Sequence, residues 1–280
     1  MKKSILKKII CSIVAIVAFS GCLFSVPVKS VSADARVDSR YYDAPSIALA
    51  SGTGETISYA RKEEEVIEFP YAVPNYFTST LSNACGPVAG AIVVGYYDKY
   101  YENLIPNYTA YYAANGRYRR PDSTYVPAVI QELYISMQTN VVDVGVSVSE
   151  CKAGLQDYVV SRDFSLTYTT IKSTSSAFNE TAYKNAISNQ KPVLLFCNSV
   201  TTYLFGSGTT EDELVYVTNS GSHIVVCYGY HKVRYYNANN VNFRTDTYLR
   251  VATGWLNNST GYVKANDMSW VDEGYAVNIY

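Results

Sequence analysis

A cysteine at the mouth of a predicted helix and a histidine at the start of a predicted strand are the residues of this chain best suited to covalent chemistry. The cysteine is Cys85, in Asn83-Ala84-Cys85-Gly86-Pro87-Val88-Ala89-Gly90-Ala91. A thiolate rather than a thiol attacks a carbonyl, so such a nucleophile needs an imidazole nearby or a helix N-terminus to ease loss of its proton. Pro87 is tolerated in a first turn, and Val88, Ala91, Ile92, Gly95 and Tyr96 recur at helical spacing, which predicts a helix from Pro87 to Tyr101. Unpaired N–H groups and the macrodipole at its start favour negative charge and suit a tetrahedral oxyanion. Of the two histidines, His223 follows Ser220-Gly221-Ser222 and opens an apolar run to Tyr230, from where a side chain projects off a sheet edge into a cleft. His231 stands beside Lys232 and Arg234 and reads as a surface residue. A lone cysteine at a helix start is more often a packed thiol, and a lone interior histidine a satisfied core residue. Their order and separation favour a nucleophile and its general base.

The elements that must position them follow from periodicity. Val126 to Thr139 and Asn179 to Asn189 read as further helices. Strands are predicted at Pro192–Cys197, His223–Tyr230, Thr245–Thr253, Gly261–Val263 and Gly274–Tyr280, with a turn at Asn237–Asn240. Helices first and an antiparallel sheet afterwards predict an α+β fold, and residues 75–280 suit one domain by length. The polar stretch 34–74, with Arg61-Lys62-Glu63-Glu64-Glu65 at its centre, reads as a linker or short pro-segment, and Arg61-Lys62 offers a cleavage point.

Residues 1–33 read as a signal peptide. Lys2, Lys3, Lys7 and Lys8 precede an apolar run from Ile9 to Val26, and Val31-Ser32-Ala33 suits signal peptidase. The expectation is a secreted protein; the alternative takes Phe19-Ser20-Gly21-Cys22 as a lipobox, which would anchor the chain through Cys22 and associate it with the cell envelope. No later stretch has the ~18 apolar residues of a membrane span, and a net charge of −1 argues against a nucleic-acid partner. The mature chain keeps Cys85, Cys151, Cys197 and Cys227. If Cys85 stays free, at most one intramolecular bridge remains, and Cys197 with Cys227, both in strand-like runs, is the favoured pair. The 28 tyrosines suit sugar or peptide stacking, but the commoner reading is strand and core packing.

The chain also resembles the papain-like cysteine peptidases, most closely their bacteriocin-processing-like and streptopain-like bacterial branches. The matching pieces are Cys85-Gly86-Pro87-Val88-Ala89 with Tyr96-Tyr97-Asp98, Lys191-Pro192-Val193-Leu194, His223-Ile224-Val225-Val226 into Gly229-Tyr230, Val251 through Trp255, and Gly261-Tyr262-Val263. Together they span roughly Pro74 to Tyr280. The resemblance implies an N-terminal helical half whose nucleophile helix packs on a C-terminal antiparallel sheet, with substrate between the halves. It implies Cys85 as nucleophile and His223 as general acid and base. The chain departs from the pattern twice. Ala252-Thr253-Gly254-Trp255 lacks the Asn that orients the imidazole, leaving Asp246, Asn257 and Asn258 as nearby substitutes. Ser79 stands where a glutamine would serve the oxyanion, with Asn83 as a substitute donor or a plain helix cap.

Other motifs carry less. Two distant histidines and no close cysteine pair make no zinc pattern, Gly52-Thr53-Gly54 and Gly206-Ser207-Gly208 lack the setting of a phosphate loop, and Asp212-Glu213 reads as a solvated loop. The expected function is therefore an exported thiol peptidase acting on protein or peptide substrates without metal or organic cofactor. Two rivals are a cell-wall amidase or transpeptidase with the same dyad, and a secreted binding or adhesion module.

Overall fold

The computed structural model describes residues 53–70, 73–101, 103–105, 111–112, 119–120, 125–256 and 260–280. The leader, Cys22, Asn257 and Asn258 lie outside them. Strands β1 (Thr53–Ser58) and β2 (Arg61–Glu68) come first, then helix α1 (Cys85–Asp98), the short pair β3 (Tyr111–Tyr112) and β4 (Arg119–Arg120), and helices α2 (Val126–Ser136) and α3 (Val148–Val160). β5 (Leu166–Lys172) and α4 (Glu180–Ser188) lead into β6 (Val193–Ser207), β7 (Glu211–Tyr236), β8 (Asn242–Ala252), β9 (Thr260–Lys264) and β10 (Val271–Ile279).

An eight-stranded antiparallel sheet dominates, in the order β1-β7-β8-β9-β6-β10-β5, with β2 on β7. β7 also pairs with β6, so β6, β7, β8 and β9 form a closed circuit, completed where Tyr203 faces Tyr262. This corrects the α+β, papain-like expectation: among the described residues there are four helices and no helical half, and the long hairpin β6–β7 has arms of 15 and 26 residues. The physical reason lies in two stretches. Ser199–Leu204 and Leu214–Thr218 are rich in Val, Thr and Tyr, which suit a pleated surface, so the strands run on past Cys197 and begin before His223, taking in Asp212 and Glu213. Residues 53–68, read as linker or pro-segment, form two edge strands on β7.

The charges of β2 hold it there. Lys62 Nζ lies 3.1 Å from Asp212 Oδ1, Glu68 meets Arg250 at 2.8 Å, and Glu65 pairs with Lys184 of α4. Arg61-Lys62 is thus strand backbone opposite Tyr236 and Tyr235, not an open cleavage loop.

α1 is buried along its whole length apart from Cys85, which is half-buried. Such an apolar helix must be covered on all sides: β7 supports it on one side and α2 and α3 on another. Many tyrosines serve this core. Tyr97 donates to the Val277 carbonyl at 2.9 Å, Tyr158 to Leu104 at 2.7 Å and Tyr183 to Gly229 at 2.8 Å, all buried. A second core gathers Tyr59, Tyr235 and Tyr248 with Ile57, Leu214 and Val233.

Cys85, Cys151, Cys197 and Cys227 are all free thiols, which overturns the favoured Cys197–Cys227 pair. Cys197 stands opposite His223 and Cys227 opposite Val193, four ladder positions away. At ~3.4 Å per residue that is about 14 Å, against the Cα separation of under ~7 Å a disulfide needs. Of these four, Cys85 is expected to react with a water-soluble disulfide reagent in the native state and the other three only after denaturation. A Tm that falls on adding reductant would show this account of the cysteines to be wrong.

No described helix is long and apolar enough to cross a membrane.

Candidate active site

Cys85 is the first residue of α1. The N-cap is Ala84, which gives no side-chain cap, and the first turn holds no acid, so the helix start keeps its donors for other partners. The N–H groups of Gly86 and Cys85, and that of Ile224 on β7, are directed at the sulfur and pull its pKa down. Burial pushes it up and prevails, so the thiol sits above its ordinary value. The easily ionised thiol expected of a helix mouth is not what this setting makes.

Asn83 is neither the cap nor a freely placed oxyanion donor. It takes a left-handed φ of 54°, which Asn tolerates, and its Nδ2 donates to Asn140 Oδ1 at 3.0 Å. Asn140 Oδ1 also accepts from the N–H of Gly145 at 2.7 Å, and its Nδ2 donates to the Ser82 carbonyl at 3.2 Å. The approach to Cys85 is therefore laced to the loop between α2 and α3. That loop comes very close: a Cβ on Gly86 would stand 2.5 Å from Val146 Cγ1.

His223 is aimed by a bulge. Between the pairs Cys197↔His223 and Ser199↔Ser220, β7 has two residues, Gly221 and Ser222, against the single Asn198 of β6. Gly221 has φ 106°, a conformation glycine adopts freely. Bulges of this kind turn the following side chain and recur beside functional sites. The ring of His223 stacks on Trp255 at 4.2 Å between centroids and 21° between planes. Its Nε2 lies 2.6 Å from the carbonyl oxygen of Thr253. A carbonyl only accepts, so Nε2 carries the proton and the neutral ring keeps its lone pair on Nδ1. Burial lowers the His223 pKa, and the Thr253 carbonyl offsets part of that.

Thr253 and Trp255 are held by a turn around Gly254. Its φ is 75°, and a Cβ there would meet Val88 Cγ1 of α1 at 2.9 Å. The Gly254 N–H reaches the buried Asn75 Oδ1 at 3.4 Å, and the Trp255 N–H donates to Thr253 Oγ1 at 3.1 Å.

Cys85 and His223 both line one cleft of about 530 Å³. Leu81, Val88, Val144, Val146 and Trp255 give it apolar walls, Thr78, Asn83 and Ser222 add neutral polar groups in similar measure, and no described lining residue is Asp, Glu, Lys or Arg. The other candidates fall elsewhere. Asp246 is buried in the second core, 2.6 Å from Arg244 and 2.9 Å from Lys264. It pairs with Val233, ten residues along β7 from His223. Ser79 is exposed and is not among the described lining residues, and Ala252 is packed opposite Val226. His231 contacts Glu64 of β2 at 3.1 Å. No described cluster of three or more His, Cys, Asp or Glu side chains forms a metal site.

The groups that reasoning from sequence missed are the Thr253 carbonyl and the Val144–Val146 wall. A backbone carbonyl has no sequence signature. The wall was findable, because Ser147 and Glu150 form a capping box that starts α3 directly after it.

Comparison of the chain with protein-family models, curated proteins and solved structures gives no match. The case for function therefore rests on the residues and their geometry.

Proposed function

We propose that this protein is an exported thiol peptidase, in which Cys85 attacks a peptide carbonyl and His223 serves as general base and then general acid. The observation that carries the reading is the meeting, in one uncharged cleft, of an uncapped helix-start cysteine and a histidine whose Nε2 proton is committed to a carbonyl. With that proton held, Nδ1 is the atom available to take the proton of Cys85 and return it to the leaving amine. The N–H groups of Cys85 and Gly86 are the natural donors to the oxyanion. The Thr253 carbonyl plays the orienting part that a side-chain Asn was expected to play, and as a neutral group it favours the imidazolium less than a carboxylate would. Export follows from the leader of residues 1–33.

Both pKa directions put the resting pair in its neutral form, so the proton moves during attack rather than before it. The His223 value lies below its ordinary ~6.5, so the acid limb of kcat/KM is expected to fall at half-maximum below pH 6.5. The stability effect has the same sign. A depressed folded-state value means the unfolded chain binds more protons between the two values, so the stability contribution is complete above ~6.5 and is lost as pH falls through the folded value. A pH–rate profile with its acid midpoint above 6.5 would contradict this.

The test of the proposal is hydrolysis of an unfolded protein by the mature chain, with products identified by mass; peptide products from wild type and none from Cys85→Ala support it. Released muropeptides from cell walls without cleavage of protein would instead favour the amidase reading. One observation favours the binding-module reading: a raised thiol and a lowered imidazole oppose the ion pair that speeds thiol chemistry. An alkylation rate of Cys85 equal to that of a free thiol, with no turnover, would decide for it.

A further inference from the structure

One stretch of the β7 edge that leads to this site pairs with no described strand. On one side β7 pairs with β6, and on the other β1 covers it as far as Tyr216 while β8 begins at Val226. Between those two points, among the described residues, no strand pairs with that side. Unpaired strand edges present alternate N–H and C=O groups and template the addition of another strand, unless charge or proline guards them. Val217-Thr218-Asn219-Ser220 contains neither, and the bulge of Gly221 and Ser222 comes only after it. The stretch runs on into the nucleophile: Ser222 and His223 line the cleft, and the N–H of the next residue, Ile224, is directed at the Cys85 sulfur.

The end of this track is uncharged, with apolar and neutral polar groups in similar measure. Leu81, Val88, Val146 and Trp255 form its walls, and Val144 stands at its rim with 86% of its surface exposed. Leu256, next to Trp255, is 54% exposed. Bare apolar side chains around a cleft mark a surface that binds apolar partners, and a wall without charge leaves a buried charged side chain without compensation.

We propose that the substrate is an extended peptide that adds as a strand to β7 along Val217–Ser220 and presents uncharged residues around the bond offered to Cys85. This deepens the peptidase reading and rests on it. The covalent step is the one already described, with water as the second reactant; what is new is the class of substrate and its backbone recognition.

The experiment uses the full mature chain carrying Cys85→Ala and fluorescent ten-residue peptides read by anisotropy, so that binding is measured without turnover. An uncharged Val- and Leu-rich peptide is expected to bind. Methylating its backbone nitrogens one at a time is expected to weaken binding about tenfold or more at alternate positions and little at those between, the period of a strand ladder. Placing Glu at the central positions is expected to cost about tenfold or more, and Val144→Lys to recover part of that for the Glu peptide alone. Absence of binding, N-methyl effects without the alternation, or equal binding of the Glu peptide would overturn the proposal. Alternating binding with no cleavage by wild type would reject the peptidase reading and leave strand addition standing. Cleavage without alternation would do the reverse.

Discussion

Cys85→Ala is expected to lower kcat/KM on a peptide substrate by about 10⁴-fold or more, because Cys85 is the only thiol among the described residues that line the cleft; that factor corresponds to ~5.5 kcal/mol of lost transition-state stabilisation. His223→Ala should cost a comparable amount, and the double variant little beyond either single one, since nucleophile and base act as a unit. Folding should survive both changes. Cys85 is half-buried and small, and His223 contributes one stack on Trp255 and one hydrogen bond to Thr253. Activity is to be measured beside thermal melting, so that loss of chemistry is separated from loss of fold. Asp246→Asn gives the contrasting case. It breaks charge pairs with Arg244 and Lys264 in the second core, so it should lower Tm while leaving kcat/KM within a few-fold of wild type. Retention of activity by Cys85→Ala, or an Asp246→Asn variant that melts normally but has lost turnover, would show that the reacting groups have been misassigned.

Gly154→Ala is expected to produce a large loss of stability from a single added methyl group. Gly154 lies in α3 where that helix crosses the end of α2, and a Cβ there would stand 2.6 Å from the N, Cα and Cγ of Met137. Two of those atoms are backbone. Met137 is fully buried, and its N–H is bound to the Leu133 carbonyl at 2.8 Å, so it cannot swing aside. Alanine gains ~1 kcal/mol of helix propensity over glycine, while overpacking a rigid core costs ~1–3 kcal/mol and occasionally more. With backbone as the obstacle the cost is at the upper end, for a net loss of about 2 kcal/mol and a Tm fall of roughly 4–8 °C in a domain of this size. Separation of α2 and α3 would also disturb Val146, which packs on Gly86 beside Cys85. Activity should therefore decline before the protein melts. A thermal melt of Gly154→Ala at or above the wild-type midpoint would refute this packing account.

Much of the site was legible because its chemistry is carried by residue type. Cys85 before Pro87, and His223 after Gly221-Ser222, are local patterns, and the structure puts both side chains in one cleft. Helices α1, α2 and α4 could be read from the spacing of apolar residues, whereas α3 is marked only by its capping pair Ser147 and Glu150. The strands β1 and β2 could not be read in the same way. Glu63, Glu64 and Glu65 look like a solvated run because the partners that hold β2 against β7 arrive more than a hundred residues later, among them Lys184, His231 and Arg250.

By itself, then, the sequence determined the candidate cysteine and histidine, the helix that presents the cysteine and the apolar strand that carries the histidine, since each depends on neighbours a few residues away. Tertiary structure alone decided the rest. The curling of the sheet into a β6–β7–β8–β9 circuit depends on pairing across the whole chain, and the orientation of His223 depends on a carbonyl thirty residues distant. Tertiary structure also decided the protonation of the site. A helix N-terminus favours thiolate and an exposed imidazole titrates near 6.5, but burial between α1, β7 and the Gly254 turn raises the one and lowers the other. Desolvation is the larger effect there because the same packing that brings the two groups together removes the water that would stabilise their charges.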